Sequence, residues 1–414
     1  NTNLSHFSGL SKIASVGAYI IIEGNAKLEN LDGFASVSHV PAYIDITDNP
    51  KLDDLLGLSA LKSAGEYLAL ENNDSLSNTK GLESLEELGG NLWIVQNDVL
   101  DDLDGFLNLR TVGGLVYITE NILTDVDGLS SLETVGDDLM MSWSPYLLHL
   151  DGYAKLKSVG GDLWINNQPV LESIDGLAQV ETVGGFVRFS HLPALDNLDG
   201  LASLREVGDY LHIDNNPQLL QVDGLSKLES VANFLFLEHN DALPEIPGLS
   251  NLKSLGGTLF IENNAALENL DGFSSLTQLD GFLNIVGNGA LQQIDGLSGI
   301  QTVPGYLNIA ENPALIQLDG LKNLETVLST ITLKANHALA SLDGLSGLKT
   351  VGSDFTIESN DSLVNIEALT NLDSIGGDFE VLENISLCES HVEEVASGLN
   401  VSGSVDNSQN KQCP

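Results

Sequence analysis

Glycine returns down this chain at a fixed interval. Gly9, Gly33, Gly57, Gly81, Gly105, Gly128, Gly152, Gly176, Gly200, Gly224, Gly248, Gly272, Gly296, Gly320 and Gly344 lie 24 residues apart, with one interval of 23 between Gly105 and Gly128. Ala368 takes the last place, so the chain holds sixteen units, coils 1 to 16. A typical unit reads G-L-x-x-L-x-x-V-G-G-x-L-x-I-x-x-N-x-x-L-x-x-L-D. A period of 20–29 residues carrying L-x-I-x-x-N is the pattern of a leucine-rich solenoid. One coil cannot bury its apolar side alone; stacking coils buries it in a continuous rod. The alternation in L-x-I predicts a short strand with two side chains inward and the one between them outward. Asparagine at a fixed bend is suited to satisfy buried backbone groups of adjacent coils. The V-G-G element predicts turns where a Cβ would clash.

A repeat overrides the two or three domains that 414 residues would otherwise suggest. Charge is one-sided, with 59 acidic against 16 basic residues and a net charge of −43. Such a surface repels nucleic acid and offers no basic phosphate-binding stripe. It disfavours anionic membranes and polysaccharides unless a cation mediates. No apolar run reaches the roughly 18–20 residues that span a bilayer, so no direct membrane insertion is expected. A chain that starts at Asn1 without Met is expected to have lost a signal peptide or further segments.

The unit resembles the leucine-rich-repeat superfamily, and "VGGDLWI..N..LE.IDGL" resembles in particular the receptor L-domain type of growth-factor-receptor ectodomains and their microbial surface relatives. The resemblance covers residues 4–387. It implies a right-handed solenoid with one long parallel β-sheet, and a recognition surface rather than a fixed catalytic motif. The expected division is a solenoid over 1–387 and a cap over 388–414. The period ends at "LCESHVEEVASGLNVSGSVDNSQNKQCP", where Cys388 and Cys413 are expected to form one disulfide closing the segment over the last coil, with two free thiols as the alternative. Ser390 is expected to cap a short helix there. Such a cap protects the end of the core and its strand edge. A structural disulfide argues for an oxidising, extracellular or cell-surface setting. No matching amino-terminal cap is visible.

The outward positions are less uniform. The residue between the two apolar strand positions is Trp93, Tyr117, Met140, Trp164, Arg188, His212, Phe236 and Phe260 in coils 4 to 11. The position before the strand adds Tyr19, Tyr43, Tyr67, Phe186, Tyr210, Phe234, Phe282 and Tyr306, and beside the asparagine column lie Trp143, His191 and His239. All three tryptophans fall on this face. Coils 4–11 are expected to form a ladder roughly 34 Å long at about 4.8 Å per coil, suited to an extended ligand. Coils 6, 7 and 8 carry Ser144, Gln168 and Leu192 in place of asparagine, beside Trp143, Trp164, Arg188 and His191. Regularity is expected to yield where function competes with it, which places the centre of a site there. The alternatives are cross-strand stacking that only stabilises the sheet, or a face covered by a second copy of the chain.

Other columns carry weaker signals. Asp precedes the column glycine at Asp32, Asp104, Asp127, Asp151, Asp175, Asp199, Asp223, Asp271, Asp295, Asp319 and Asp343. These are expected to hydrogen-bond turn amides, with bound calcium as the alternative. His191, His212 and His239, with Asp214 and Glu238, suggest a zinc or acid–base cluster, but side chains two coils apart start about 9.5 Å from one another. Ser or Thr recurs two places before the V-G-G glycine, as at Thr111, Thr134, Thr182, Thr302, Thr326 and Thr350; small residues at a bend explain this more simply than a lattice-binding row. No nucleophile elbow, phosphate loop or HExxH motif is present.

The expectation is thus a recognition or adhesion module, not an enzyme and without a required cofactor, that binds a glycan or a protein or peptide on its strand face. Trp93, Tyr117, Met140, Trp143, Trp164, Phe236 and Phe260 would supply flat apolar contacts. Arg188, His191 and His212 would supply hydrogen bonds. Arg188 and Lys334 are the only cations on a mostly acidic strand face, so the partner is expected to be neutral or cationic. The alternatives are a self-associating surface-layer component, and a hydrolase using the histidines.

Overall fold

The computed structural model describes residues 3–413. The chain divides into two compact units, Asn1–Gly208 and Asp209–Pro414. Each is a stack of leucine-rich-repeat coils. In the first unit, eight four-residue strands run parallel, from Ile20–Glu23 through Leu92–Val95 and Leu139–Ser142 to Val187–Ser190. Equivalent residues stand side by side: Trp93 pairs with Tyr117, Tyr117 with Met140, Met140 with Trp164 and Trp164 with Arg188. The second unit repeats this from Leu211–Asp214 to Phe379–Leu382, with His212 beside Phe236 and Phe236 beside Phe260. First and third strand residues are buried and the second and fourth are mostly half-exposed, as the alternation predicted. Across the coil, the Thr-Val segments form a second set of two-residue parallel strands. That sheet is interrupted between Gln278–Leu279 and Thr302–Val303. The next residue in coil 13 is Pro304, which has no N–H to give to the preceding coil, whereas Gly113 donates to Leu88 O at 2.8 Å.

Asparagine holds the coils together. Asn264 Nδ2 donates to Leu237 O of the preceding coil at 2.8 Å and to Glu262 O of its own at 3.1 Å. Its backbone N–H donates to Oδ1 of Asn288 at 3.1 Å, and its own Oδ1 accepts from Asn240 N at 3.1 Å. The same set recurs at Asn49, Asn97, Asn288, Asn312 and Asn360, all fully buried. The Asp-Gly glycine has an equally specific cause. A Cβ on Gly176 would collide with the Leu150 carbonyl one coil earlier, and the column glycines from Gly57 to Gly200 and from Gly248 to Gly344 meet the same obstacle.

The end of the second unit is closed as expected, by a Cys388–Cys413 disulfide. Val405–Asp406 adds a parallel strand to Phe379–Leu382. Asn410 supplies the last rung, its Oδ1 accepting from Asn384 N at 2.9 Å. The helix begins two residues earlier than expected. It runs Glu389–Ser397 with Cys388 at its N-cap and no side-chain cap, so Ser390 lies inside it. Here the backbone fixes the start: Glu389 N donates to Lys411 O at 2.9 Å, and Cys388 is bonded covalently.

Because each rung serves two coils, Asn264→Ala removes hydrogen bonds on both sides and leaves buried backbone groups without partners. It is expected to destabilise the second unit by about 2–3 kcal/mol in urea unfolding, several times the effect of an alanine at exposed Asn263.

Candidate functional site

The rung pattern fails where the sequence does. Ser144, Gln168 and Leu192 occupy the rung positions of coils 6, 7 and 8 and are fully buried. Gln168 Oε1 still accepts from Ser144 N at 3.0 Å, but Gln168 Nε2 and Ser144 Oγ have no partner. Of the four buried side-chain atoms without a hydrogen bond among the described residues, three lie in coils 6 and 7: these two and the indole Nε1 of Trp164. Each such atom costs about 1–3 kcal/mol.

The residue before every rung has a left-handed backbone. In coils 5 to 8 these are Glu120, Trp143, Asn167 and His191, with φ of 55°, 52°, 50° and 55°. No Val, Ile or Thr occurs anywhere in this column, as the steric cost of that region for β-branched residues requires. Asn and Gly tolerate it; a tryptophan gains nothing from it.

Trp143 is nonetheless placed there and is 57% exposed. Tyr146 of the same bend is 58% exposed and Leu148 40%. The 23-residue unit explains why they stand clear. Coils 4 and 6 follow the rung with a two-residue turn, Asp98–Val99 and Pro145–Tyr146, closed by Leu100 N to Asn97 O at 3.1 Å and Leu147 N to Ser144 O at 3.2 Å. Coil 5 lacks that turn, and Ile122 N donates instead to Leu100 O at 3.2 Å. The turn of coil 6 has no counterpart on coil 5 to pack against. The two methionines then separate in role. Met140 is half-exposed on the strand face, whereas buried Met141 accepts a hydrogen bond from the hydroxyl of fully buried Tyr153 at 3.1 Å. Burial pushes that phenol far above its usual range.

In the first unit, then, Trp93, Tyr117, Met140, Trp164 and Arg188 occupy consecutive strand positions, half-buried, while Trp143 and His191 stand on the bend beside them, two coils apart. In the second unit His212 lies beside Phe236, and Phe236 stacks on Phe260 with centroids 4.7 Å apart and planes 9° apart. The Phe236–Phe260 stack covers one face of each ring with the other. Tyr19, Tyr43 and Tyr67 stack likewise, at 5.0 and 4.5 Å.

His212 Nε2 is 3.4 Å from Asp214 Oδ1 and 3.3 Å from Glu238 Oε2. His239 sits instead on the left-handed bend of its coil. Among the described residues no group of three or more His, Cys, Asp or Glu side chains is arranged to hold a metal.

The aspartate column departs from expectation. Asp104, Asp127 and Asp271 are the first residues of their 3₁₀ turns and do not cap them. The cap comes from the residue two places earlier: Asp102 Oδ1 accepts from Asp104 N at 3.0 Å, and Asp125, Asn197 and Asn269 do the same. The first turn residue already has helical backbone, so its side chain projects outward and stacks on like charges. Burial, then the neighbouring Asp125, Asp151 and Asp104, raise the Asp127 carboxyl; burial, Asp319 and Asp271 raise Asp295.

One column escaped the sequence reading. On the turn into the second sheet, charge alternates from coil to coil: Lys62, Glu86, Arg110, Glu133, Lys157, Glu181 and Arg205 in the first unit, then Glu229 and Lys253 and, after uncharged Thr277 and Gln301, Glu325, Lys349 and Asp373 in the second. Lys157 lies 3.9 Å from Glu133, and Lys253 lies 2.6 Å from Glu229. A scan at twice the period would have found it. Exposed pairs of this kind contribute only about 0–1 kcal/mol each. Their consequence is positional: six of the 16 basic residues are gathered here, and Lys157 and Lys253 are paired with acids. Tyr146 and Leu148 follow the rung residue and so lie outside the strand-face columns legible in the sequence.

Two outcomes test this description. Gln168→Asn restores the short amide that reaches the preceding carbonyl in other coils, and is expected to raise the stability of the first unit by about 1 kcal/mol in urea. Asp127 and Asp295 take up protons at higher pH in the folded chain than in the unfolded chain. Stability should therefore rise as pH falls toward their raised native values, and be lost as pH climbs through them. A thermal midpoint higher at about pH 5 than at about pH 7 is expected, with a smaller difference in Asp127→Asn/Asp295→Asn.

No family model matches the sequence, and no curated protein matches it. Among solved structures, an internalin from Listeria monocytogenes aligns with 81% of this chain and 87% of its own at 15% identity, with a TM-score of 0.37. A leucine-rich-repeat protein of Leptospira interrogans aligns with 91% of this chain and 96% of its own at 16% identity, also at 0.37. TLR13, in a complex with a single-stranded RNA, aligns with 90% and 83% at 14% identity and 0.18. The period, the parallel in-register strands and the asparagine ladder make the fold a leucine-rich-repeat solenoid.

Proposed function

We propose that this chain is a recognition module of an extracytoplasmic or surface protein, and that its first unit binds a neutral or basic protein segment at the coil 6 bend and the adjoining strand face. Trp143 carries the reading. It is a largely exposed tryptophan on a left-handed backbone, beside rungs that leave buried polar atoms without partners. Three local costs at one place bring no packing gain, which favours a gain realised on binding. Large exposed aromatic side chains are the usual anchors of protein interfaces.

The chemistry of the surroundings selects the partner class. Asp98, Asp101, Glu120 and Glu172 occupy the neighbouring bends, and the only strand-face cation of the first unit is Arg188. Apolar anchoring within acidic surroundings suits a segment with apolar side chains flanked by Lys or Arg. Stacked rings such as Tyr43 and Tyr67 turn covered faces to one another, which suits side-chain packing better than a sugar laid flat on them. The disulfide supports an oxidising setting. Among the described residues no helix is long and apolar enough to cross a membrane. Binding rather than catalysis is the activity this arrangement supports.

Selection of a displayed peptide library on the whole chain tests the proposal. Peptides combining basic and large apolar residues are expected. Trp143→Asn, which places a residue suited to φ 52° there, should weaken them at least about tenfold while keeping or raising the thermal midpoint. Equal binding by wild type and Trp143→Asn would sink the reading. Concentration-dependent mass in light scattering that Trp143→Asn abolishes would replace the foreign partner with a second copy.

A further inference from the structure

The second unit contains a depression of about 460 Å³ on its strand side, lined by Asn284, Tyr306, Asn308, Ser329, Thr330 and Thr332 of coils 12 to 14. That size falls within the roughly 300–1,000 Å³ of small-ligand sites. None of the six side chains carries a charge at neutral pH, although the chain as a whole has a net charge of −43.

The depression exists because an aromatic column stops. Phe282 and Tyr306, at equivalent positions before their strands, stack with centroids 4.4 Å apart and planes 21° apart. Phe282 leans onto coil 13 over Gly305, where any Cβ would collide with its ring. Phe234 leans in the same way toward Gly257. The position that would receive Tyr306 is Ser329, and the next residue in the column is Thr330 rather than an aromatic. Tyr306 therefore has a neighbouring ring on its coil 12 side and only small hydroxyl side chains on its coil 14 side.

Beside that open ring face lies an ordered row of amides. Asn308 Nδ2 donates to Asn284 Oδ1 at 2.8 Å, and Asn284 Nδ2 donates to the carboxylate of Glu262. An ionised carboxylate only accepts, so it fixes the direction of both amides. The Asn308 carbonyl is left to accept from a ligand, next to the hydroxyls of Thr332, Thr330 and Ser329.

We infer that this depression binds a pyranose ring of a neutral glycan, seated over Thr330 against the coil 14 face of Tyr306. The ring takes the place the aromatic column leaves vacant. One strand spacing of about 4.8 Å is also the separation of stacked rings, so a ligand one coil beyond Tyr306 is at stacking distance. Its apolar C–H face meets Tyr306, and its hydroxyl edge meets Asn308, Thr332 and Ser329. A flat heteroaromatic ligand would find only one apolar wall, and a charged sugar would find no counter-charge among the lining residues.

The site is independent of the coil 6 bend, and the test keeps the two apart. Cellohexaose, xylohexaose, mannohexaose and chitohexaose are titrated into the full chain by calorimetry and ligand-observed NMR. At least one is expected to bind. Tyr306→Ala should weaken it at least about tenfold. Thr330→Phe should do the same by continuing the aromatic column into the sugar position, in a column that already holds Phe234 and Phe282, with circular dichroism and the thermal midpoint unchanged. Trp143→Asn should leave binding as it is. Absence of binding by all four sugars at about 10 mM, or binding that Thr330→Phe leaves intact, overturns the inference.

Discussion

The asparagine rung sets the terms for everything else in this chain. An open coil with short strands cannot satisfy its bend internally, because the bend faces the core and water is excluded. Asn is the side chain short enough to stay inside the bend while offering two donors and an acceptor. Its donors reach back to the preceding coil, and its acceptor serves that coil's backbone. The ladder is therefore directional: each coil depends on the one after it. That dependence explains the form of the carboxyl-terminal cap. Beyond a disulfide and an extra strand, the segment delivers Asn410, which ends the ladder with the same contact every earlier coil receives.

A directional ladder also makes its interruption informative. Ser144 is too short to reach the preceding coil, Gln168 is one methylene too long, and Leu192 has no polar group. Three successive coils thus depart from the asparagine rung, with Gln168 keeping only its acceptor contact to Ser144 N, in the same unit where one bend is a residue short and a tryptophan occupies a left-handed position. Drift in a repeat would scatter such departures. Their concentration, with Trp143, Tyr146 and Leu148 exposed beside them, is what a surface shaped by recognition produces in an otherwise uniform repeat.

The strands, the asparagine ladder and the outward column were legible because each depends on one position repeated at a fixed period, and the disulfide because the chain has only two cysteines, both beyond the repeat. What depends on relations between coils was not. The Asp column read as a set of caps, yet the cap is two residues earlier, since the 3₁₀ turn starts at the Asp itself. The hydrogen bond from the Tyr153 hydroxyl to the Met141 sulfur joins two successive units, so no single column shows it. Asn410 was invisible because it comes 26 residues after Asn384 and lies outside the repeat. The uncovered face of Tyr306 emerges only from the side chains one coil further on: Phe282 leans over Gly305, whereas Tyr306 meets Ser329 and Thr330.

Charge distribution connects the two surfaces. A chain with 59 acids and 16 bases has few cations to place. Several stand in one column, alternating with acids, and Lys157 and Lys253 are paired there. The coil 6 bend is left with carboxylates around an apolar centre. An acidic rim cannot add much affinity through exposed pairs, but it accelerates encounter with a basic segment and penalises an acidic one. Beside coils 12 to 14 the Glu262 carboxylate is drawn into the amide row, and burial followed by Glu238 raises it above the usual range. Its charge is used to orient Asn284 rather than to face a ligand. The same excess of acid thus gives one surface a preference for positive partners and lets the other present neutral hydrogen-bonding groups.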